Sequence, residues 1–267
     1  MIKYVRMLSA FFLFGPVESF GAVADGTSKQ SKFTDKVHLS YYGDLVGPSF
    51  ADPISSNSAG GSKISLYNSV TASVDAFEKF TFKVNPRFSL TPFHGAETTL
   101  LDPRLKLSYT EGWSIGDLNF SGTTLAFQIA ATNGSHENRH LVAPYFSQNM
   151  SLNLGKSRFS LQNSSYVRAY IHANSGTGRD YEVYFNPAIV YQATPSLKAA
   201  LTYEYVIGHE MGLDEYKLQS FTSAIKPMAK WQAMENLAVN PYVMVNTIAP
   251  EGADKASLGM ELVGTLF

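Results

Sequence analysis

The chain has 267 residues, of which 45% are hydrophobic and 16% charged, against roughly 25% charged in average soluble domains. Its formal net charge is -1, so the overall balance gives no support to a nucleic-acid partner. It contains no cysteine, which excludes disulfides and thiolate metal sites.

Residues 1–24 have the pattern of a secretory signal peptide. Lys3 and Arg6 form a positive region, an apolar stretch follows, and small residues precede a cleavage position after Ala24. The apolar stretch is too short to span a bilayer as a helix. The alternative interpretation is a buried N-terminal helix. Residues 25–35 are polar and predict a flexible periplasmic lead.

The remaining sequence alternates apolar and polar residues. In residues 80–90 every even position is apolar and every odd position is polar. Successive side chains of a strand point to opposite faces, so this pattern predicts a strand with one apolar and one polar face. About twelve such strands are predicted, at residues 36–46, 63–74, 79–91, 100–110, 117–131, 140–152, 157–171, 180–193, 196–208, 217–233, 237–248 and 256–267.

The connections between these strands alternate between long and short. Short periplasmic turns and longer external loops are typical of transmembrane β-barrels. The predicted strands are about 11 to 17 residues long, whereas a tilted membrane-spanning strand needs about 9–11 and soluble strands cluster near 5–6. Because bilayer hydrocarbon offers no hydrogen-bond partner to an open sheet edge, such strands must close into a barrel.

Six prolines fall on the apolar face inside predicted strands: Pro86, Pro103, Pro144, Pro187, Pro227 and Pro241. Proline cannot donate to the strand ladder. One interpretation is that a bulge or local break accommodates each ring. The other is that the prolines mark one level of a barrel, where strands bend or a neighbouring subunit packs.

The apolar pattern also changes phase once within a strand. Leu118 and Phe120 are out of phase with Leu125 and Phe127, and Gly122 lies between them. This predicts a β-bulge at Gly122.

The final strand ends in an aromatic residue, Phe267. With the signal segment and the twelve alternating strands, this ending makes the chain resemble bacterial outer-membrane β-barrel proteins, in particular their small porin-like members. The resemblance covers the whole mature chain. It implies an all-β, closed antiparallel up-and-down transmembrane barrel over residues 36–267, in the outer membrane of a Gram-negative bacterium.

In such a barrel the apolar faces meet lipid and the polar faces line the lumen. The predicted lumen-lining cations are Lys83, Arg87, Arg104, Lys106, Arg168, Lys198, Lys226 and Lys230. The predicted lumen-lining carboxylates are Asp44, Asp102, Glu182, Glu204 and Glu261. Arg87 and Arg104 lie on neighbouring strands, with Lys83 and Lys106 nearby, and this basic patch predicts mild anion selectivity. The alternative is that these cations pair with Asp102, Glu182 or Glu204 and only solvate the interior.

Amphipathic aromatic residues fall on the predicted lipid face. They are Tyr41, Tyr109, Tyr191, Tyr203, Tyr205 and Trp231. Several lie near strand ends, where such rings form girdles at the headgroup level. Ordinary core packing in a soluble all-β protein is the alternative.

An enzyme is not expected. Residues 133–138 contain the Ser, His and Asn of the twelve-stranded outer-membrane phospholipase family, but in one polar loop and without that family's His-x-Ser spacing. A nucleophile and its base must meet, with a third group orienting the base. Among the six histidines only His136 and His140 are close in sequence, and loop residues separate them, so neither a metal site nor a cofactor is expected.

The sequence therefore predicts a passive porin-like channel for ions or small polar solutes. The alternative is a structural or adhesive barrel with a plugged lumen. Eight strands give a filled interior and 16–18 leave an aqueous channel, so twelve strands permit both. The expected partners are outer-membrane lipid and small solutes. Small residues on the apolar face, Gly43, Ala72, Gly122 and Ala199, are compatible with a homo-oligomer.

Overall fold

The computed structural model describes residues 37–49, 64–91, 97–173, 178–213, 217–248 and 256–265. The predicted signal peptide, the periplasmic lead and the terminal Phe267 lie outside these residues. Fourteen strands and one helix lie within them. They are β1 (Val37–Ser49), β2 (Ser65–Phe77), β3 (Phe80–Thr91), β4 (Glu97–Tyr109), β5 (Trp113–Ile115), β6 (Leu118–Ile129), α1 (Asn133–Glu137), β7 (His140–Asn153), β8 (Phe159–Ala169), β9 (Ile171–His172), β10 (Arg179–Thr194), β11 (Leu197–Glu210), β12 (Gln219–Met234), β13 (Leu237–Asn246) and β14 (Ala256–Thr265).

The described strands form a closed antiparallel barrel. Twelve long strands each pair with the next one along the chain, and the last of them, β14, pairs with β1 to close the circle. The order around the barrel is β1, β2, β3, β4, β6, β7, β8, β10, β11, β12, β13 and β14. This confirms the predicted fold class. No helix among the described residues is long and apolar enough to cross a membrane.

The two faces of the sheet carry opposite kinds of side chain. On β3, Phe82 is 42% exposed, whereas Asn85, on the other face of the strand, is 2% exposed. Apolar side chains are also exposed on other strands, for example Leu105, Leu125 and Leu201. Apolar side chains therefore cover the convex exterior, and the polar side chains pack in the interior.

Gly122 lies in the predicted bulge. The register between β6 and β7 shifts between Ser121 and Thr124, and Gly122 has φ +59°. Leu118 and Leu125 both reach the exterior because the extra residue restores the phase. A Cβ at Gly122 would meet Asn149, whose amide accepts from the interior Ser164, so this glycine does not face the exterior.

The six prolines lie within strands, as predicted. At Pro86 the β3–β4 register shifts between Asn85 and Arg87, so a local break accommodates that ring. Pro187 and Pro227 each pair with one neighbouring strand. On the side of the other neighbour the strand pairing is interrupted at the proline, but the register is the same before and after it. A missing donor on one side of the strand is thus tolerated.

Three short elements were not predicted. β5 pairs with the start of β6 and forms a hairpin at the short-turn end of the barrel. β9 follows β8 and pairs with the first residues of β7 at the long-loop end. The helix α1 lies in the connection that the sequence predicted as an irregular polar loop, where the Thr132 hydroxyl caps it by accepting from the Ser135 N–H.

Candidate functional site

Contacts that skip a strand identify the interior of the barrel. The Tyr242 hydroxyl on β13 reaches Asp44 on β1 past the intervening β14. The Arg104 guanidinium on β4 lies 5.4 Å from the ring centroid of Tyr145 on β7, past β6. Such contacts are short only on the concave side of a closed sheet. The polar faces of the strands, which were predicted to line the lumen, therefore point inward.

A basic strip runs along the inner face of β3 and β4. Lys83 lies directly opposite Lys106, and Arg104 lies opposite Asn85. Like charges directly opposite each other on a sheet repel. Nearer the long loops, Nε and Nη2 of Arg87 donate to the main-chain oxygen of Asp102 at 2.8 and 2.6 Å, so the acceptor of both bonds is a neutral group. The structure thus brings the four residues of the predicted basic patch onto one wall.

Two arginines lie against the ring of an interior tyrosine. Arg104 and Arg168 lie 5.4 and 5.2 Å from the Tyr145 ring centroid, within the range of cation–π attraction. The Nε atom of Arg104 is buried without a hydrogen-bond partner among the described residues. The wall beneath is made of Ala126 and Ala143, both fully buried, so the long side chains lie across short ones.

Glu182 neutralises two of the interior arginines. Its carboxylate lies 3.2 Å from Arg168 and pairs with Arg179, and it accepts from the Tyr166 hydroxyl at 2.8 Å. Glu182 is 1% exposed. The predicted pairing with Glu182 is therefore present for Arg168. Arg179 was missed because the predicted strand begins at residue 180, whereas β10 begins at Arg179.

Asp102 binds a loop rather than a lumen cation. Its Oδ1 accepts from the N–H groups of Ala131 and Thr132 at 2.9 and 3.1 Å. Its Oδ2 accepts from the Ser135 hydroxyl at 2.5 Å and from Gln128 at 3.3 Å. This carboxylate therefore fixes the start of α1 against the inner wall. No signal in the sequence links Asp102 to this loop, about 30 residues away.

The surroundings of Asp102 include the serine side chain that was considered above for catalysis. The Ser135 hydroxyl donates to Asp102, and His136 lies exposed on α1. His140 is buried, with Nδ1 3.8 Å from Oδ2 of Asp102, beyond hydrogen-bond length. Within the described ranges, no cluster of three or more His, Asp or Glu side chains is arranged to hold a metal ion.

The opposite wall carries a mixed network of carboxylates and lysines. Lys226 on β12 forms an ion pair with Glu204 on β11. Asp44 lies directly opposite Glu261, and Lys198 lies directly opposite Lys230. The predicted lumen charges thus divide unevenly. Five cations and two carboxylates lie on β3, β4, β8 and β10, and three of each lie on β1, β11, β12 and β14.

An apolar row lies inside the barrel on the same side as this network. Val190, Ala200, Met228 and Tyr242 are buried together on β10 to β13. They follow one another in strand register. The predicted polar lumen is therefore interrupted here, and these side chains fill part of it.

Aromatic residues gather on the exterior near the short-turn end. Tyr109 packs on Phe80 with ring centroids 5.3 Å apart, and Tyr191 packs on Phe159 at 4.9 Å. Trp231 is 50% exposed, three residues before the end of β12. Further along the exterior, Tyr41 crosses Gly43 and donates to Asn68 at 2.6 Å, so Gly43 is covered rather than bare.

Comparisons with known proteins support the fold. No protein-family model and no curated protein matches the sequence. The COG4313 outer membrane channel from Pseudomonas putida F1 is similar in structure, with a TM-score of 0.53 and 12% identity over 86% of this chain and 94% of that chain. Less similar are a loop-deletion mutant of OmpT, an outer membrane protein of Vibrio cholerae (TM-score 0.46, 11% identity, 86% of this chain and 98% of that one), and Salmonella typhi OmpF in complex with daunomycin (0.39, 7%, 88% and 99%). At such identity the likeness shows a shared barrel fold alone.

Proposed function

We propose that the protein is a passive channel in the outer membrane of a Gram-negative bacterium, with a mild preference for small anions. The apolar exterior and its aromatic rim suit a bilayer, and the inward charges suit an aqueous path. The fold shared with an outer membrane channel agrees with this proposal. On this proposal an N-terminal signal peptide exports the chain.

The observation that carries the proposal is the excess of positive charge on one wall. Lys83, Lys106, Arg104 and Arg87 follow one another along β3 and β4. The two carboxylates of the predicted lumen set on this side have other partners, since Asp102 binds the loop at 131–135 and Glu182 binds Arg168 and Arg179. A wall of fixed cations raises the local concentration of anions.

The test is the reversal potential of the purified full chain in planar bilayers under a potassium chloride gradient. We expect steady open-channel steps and a reversal potential on the anion side. Arg104→Gln is expected to reduce this preference, because it removes a charge whose Nε has no hydrogen-bond partner to lose among the described residues. Lys156→Gln makes the same charge change in an exposed turn and serves as the control. A clear cation preference of the unaltered protein would contradict the proposal.

A second candidate function is a structural or adhesive barrel with a filled lumen. It is favoured by the burial of interior charges, since Lys106 is 3% and Asp102 5% exposed. An electrically silent barrel in the same recordings would support this candidate. The channel proposal requires current.

The proposed partners are outer-membrane lipid and the permeating solutes, with no nucleic acid, no cofactor and no catalytic role. A homo-oligomer remains a prediction, for which Ala72 and Ala199 are the exposed small residues of the exterior. Cross-linking in native membranes tests the oligomer. Unchanged lipase activity in a Ser135→Ala protein would remove the enzyme alternative.

A further inference from the structure

Five interior tyrosines lie in two contacting groups on nearly opposite sides of the lumen. Tyr67 on β2 meets Tyr42 on β1 edge-on, with ring centroids 6.1 Å apart. Tyr184 on β10 stacks on Tyr166 on β8 at 5.0 Å, and Tyr166 packs on Tyr145 on β7 at 5.7 Å. Tyr42 and Tyr184 come from nearly opposite walls of the barrel, β1 and β10. We call Tyr67, Tyr42, Tyr184, Tyr166 and Tyr145 the tyrosine string.

The strands that carry these tyrosines divide the barrel wall into two arcs. One arc runs from β2 through β3, β4, β6 and β7 to β8, and the other from β10 through β11, β12, β13 and β14 to β1. The first arc holds Arg87, Arg104, Lys106 and Arg168, and we call its interior the arginine side. The second holds Asp44, Glu204, Glu261, Lys226 and Lys230, and we call its interior the carboxylate side.

The two sides differ in how far water reaches their charges. The ion pair nearest the arginine side, Arg168–Glu182, has side chains 8% and 1% exposed. The pair on the carboxylate side, Lys226–Glu204, has side chains 14% and 20% exposed. Asp44, Glu261 and Lys230 are likewise partly exposed, although they lie inside the barrel.

The packing around the arginine side explains its dryness. Ser108, Thr124, Ser147 and Ser164 are buried on four successive strands. Ser108 and Thr124 bond each other at 2.9 Å, and Ser164 donates to Asn149 at 3.1 Å, so these hydroxyls are satisfied without water. Lys83 and Arg104 keep partial exposure, whereas Arg87, Lys106 and Arg168 are buried.

We propose that solutes cross the barrel on the carboxylate side of the tyrosine string, where Lys226, Glu204, Asp44, Glu261 and Lys230 form the filter. The arginine side then acts through its field rather than by contact. With Lys198, the interior of this side carries three cations and three carboxylates, so a field from the neighbouring cations gives a mild preference and not a strong one. This inference rests on the proposed channel function and names the residues that line its path.

The test uses two lysines at similar depth on opposite sides of the string. Lys106 lies three residues before the end of β4, and Lys230 four residues before the end of β12. The chain has no cysteine, so Lys106→Cys and Lys230→Cys each introduce a single thiol. The probe is the anionic reagent sulfonatoethyl methanethiosulfonate, and the readouts are its rate of reaction with the folded full-length barrel, by mass spectrometry, and the current in planar bilayers.

We expect the Lys230→Cys protein to react at least about tenfold faster than the Lys106→Cys protein, because thiol reactivity follows access. Reaction at position 230 is also expected to change the single-channel current. Ser108→Cys, a near-isosteric change on the arginine side, repeats the slow case if the Lys106 exchange impairs folding. Equal rates, or a faster reaction at positions 106 and 108, would overturn the assignment.

A second comparison tests the string itself. Tyr184→Ala in the Lys106→Cys protein is expected to open the arginine side and accelerate the reaction at position 106 several-fold. Tyr191→Ala, an exterior tyrosine of the same strand, is the matched control and is expected to leave that rate unchanged. Acceleration by both changes, or by neither, would count against the string. If position 230 reacts faster but the barrel carries no current, the two sides of the lumen differ in access as inferred. The proposed channel function, on which the solute path depends, would then be wrong.

Discussion

The Tyr242 hydroxyl on β13 donates a hydrogen bond to Oδ1 of Asp44 on β1 at 2.8 Å, past the intervening strand β14. The ring of Tyr242 lies over Gly259 of β14, where a Cβ would overlap it. The Lys226 ammonium lies 5.2 Å from the centroid of the same ring. One side chain therefore joins the closing strands of the barrel to the network on its carboxylate side.

Tyr242→Phe is expected to lower the free energy of unfolding by about 1.5–3 kcal/mol, the range for hydrogen bonds to charged groups. The change keeps the ring over Gly259 and removes only the donor to Asp44. Urea titration of the protein in lipid vesicles measures the effect. Tyr109→Phe removes an exposed hydroxyl that donates to Glu111, and its effect is expected to be small. Equal losses in both variants would contradict a special role for the Tyr242 contact.

Gly259→Ala is expected to destabilise the barrel by about 1–3 kcal/mol, the usual effect of overpacking. The new methyl group would occupy the position of the Tyr242 ring and displace its hydroxyl from Asp44. Gly264→Ala is the control on the same strand, because its Cβ would meet its nearest neighbour at 3.7 Å, an ordinary contact. The same urea titration distinguishes them, and a Gly264 effect as large as that of Gly259 would refute the explanation.

The alternation of residue types was sufficient to predict which way most side chains point. Side chains alternate with a period of two, so Asn85 and Arg87 could be assigned inward and Phe82 outward from the sequence alone. Even the bulge at Gly122 was predictable, because an extra residue reverses the phase of Leu118 relative to Leu125.

The contacts between inward side chains were not predictable. They depend on the register of each strand pair and on the stagger of the closed barrel, which alternation does not encode. The stacking of Tyr184 on Tyr166 at 5.0 Å, for example, could not be derived from alternation. Asp102 had several arginines within sequence reach, yet it binds main-chain N–H groups of a loop whose fold is set by α1. Its position is a consequence of tertiary structure.

Glu182→Gln is expected to destabilise the barrel by about 3–5 kcal/mol, because it leaves a buried arginine without its counterion. Arg168 would lose its carboxylate partner at 3.2 Å while remaining buried, and Tyr166 would lose a charged acceptor. Glu111→Gln makes the same chemical change in the exposed pair with Lys79 and is expected to have little effect. Heat-induced unfolding of the two variants, followed by circular dichroism, checks the difference. Similar midpoints would argue against a structural role for the Glu182 pair.

The pair between Lys79 and Glu111 predicts how pH acts at the short-turn end. Lys79 lies in the turn after β2 and Glu111 in the link after β4, with Nζ and Oε2 2.9 Å apart. The hydrogen bond from Lys79, followed by that from Tyr109, lowers the pKa of Glu111, and the same bond to Glu111 raises the pKa of Lys79. The contribution of Glu111 to stability is complete above its unfolded pKa and is lost as the pH falls through its lower folded pKa. The contribution of Lys79 is complete below its unfolded pKa and is lost as the pH rises through its higher folded pKa. The pair therefore contributes fully between about pH 4.3 and about pH 10.4.

Lys79→Gln is accordingly expected to raise the pKa of Glu111 toward its ordinary value. Carboxyl carbon chemical shifts, followed by NMR during an acid titration of the barrel in detergent micelles, measure this pKa. Lys156→Gln removes the same charge from a different turn and is expected to leave the Glu111 pKa in place. Because both partners are exposed, salt screens their attraction, so the difference should shrink at high ionic strength. An unchanged Glu111 pKa in the Lys79 variant would show that the hydrogen bond from Tyr109 alone holds it down.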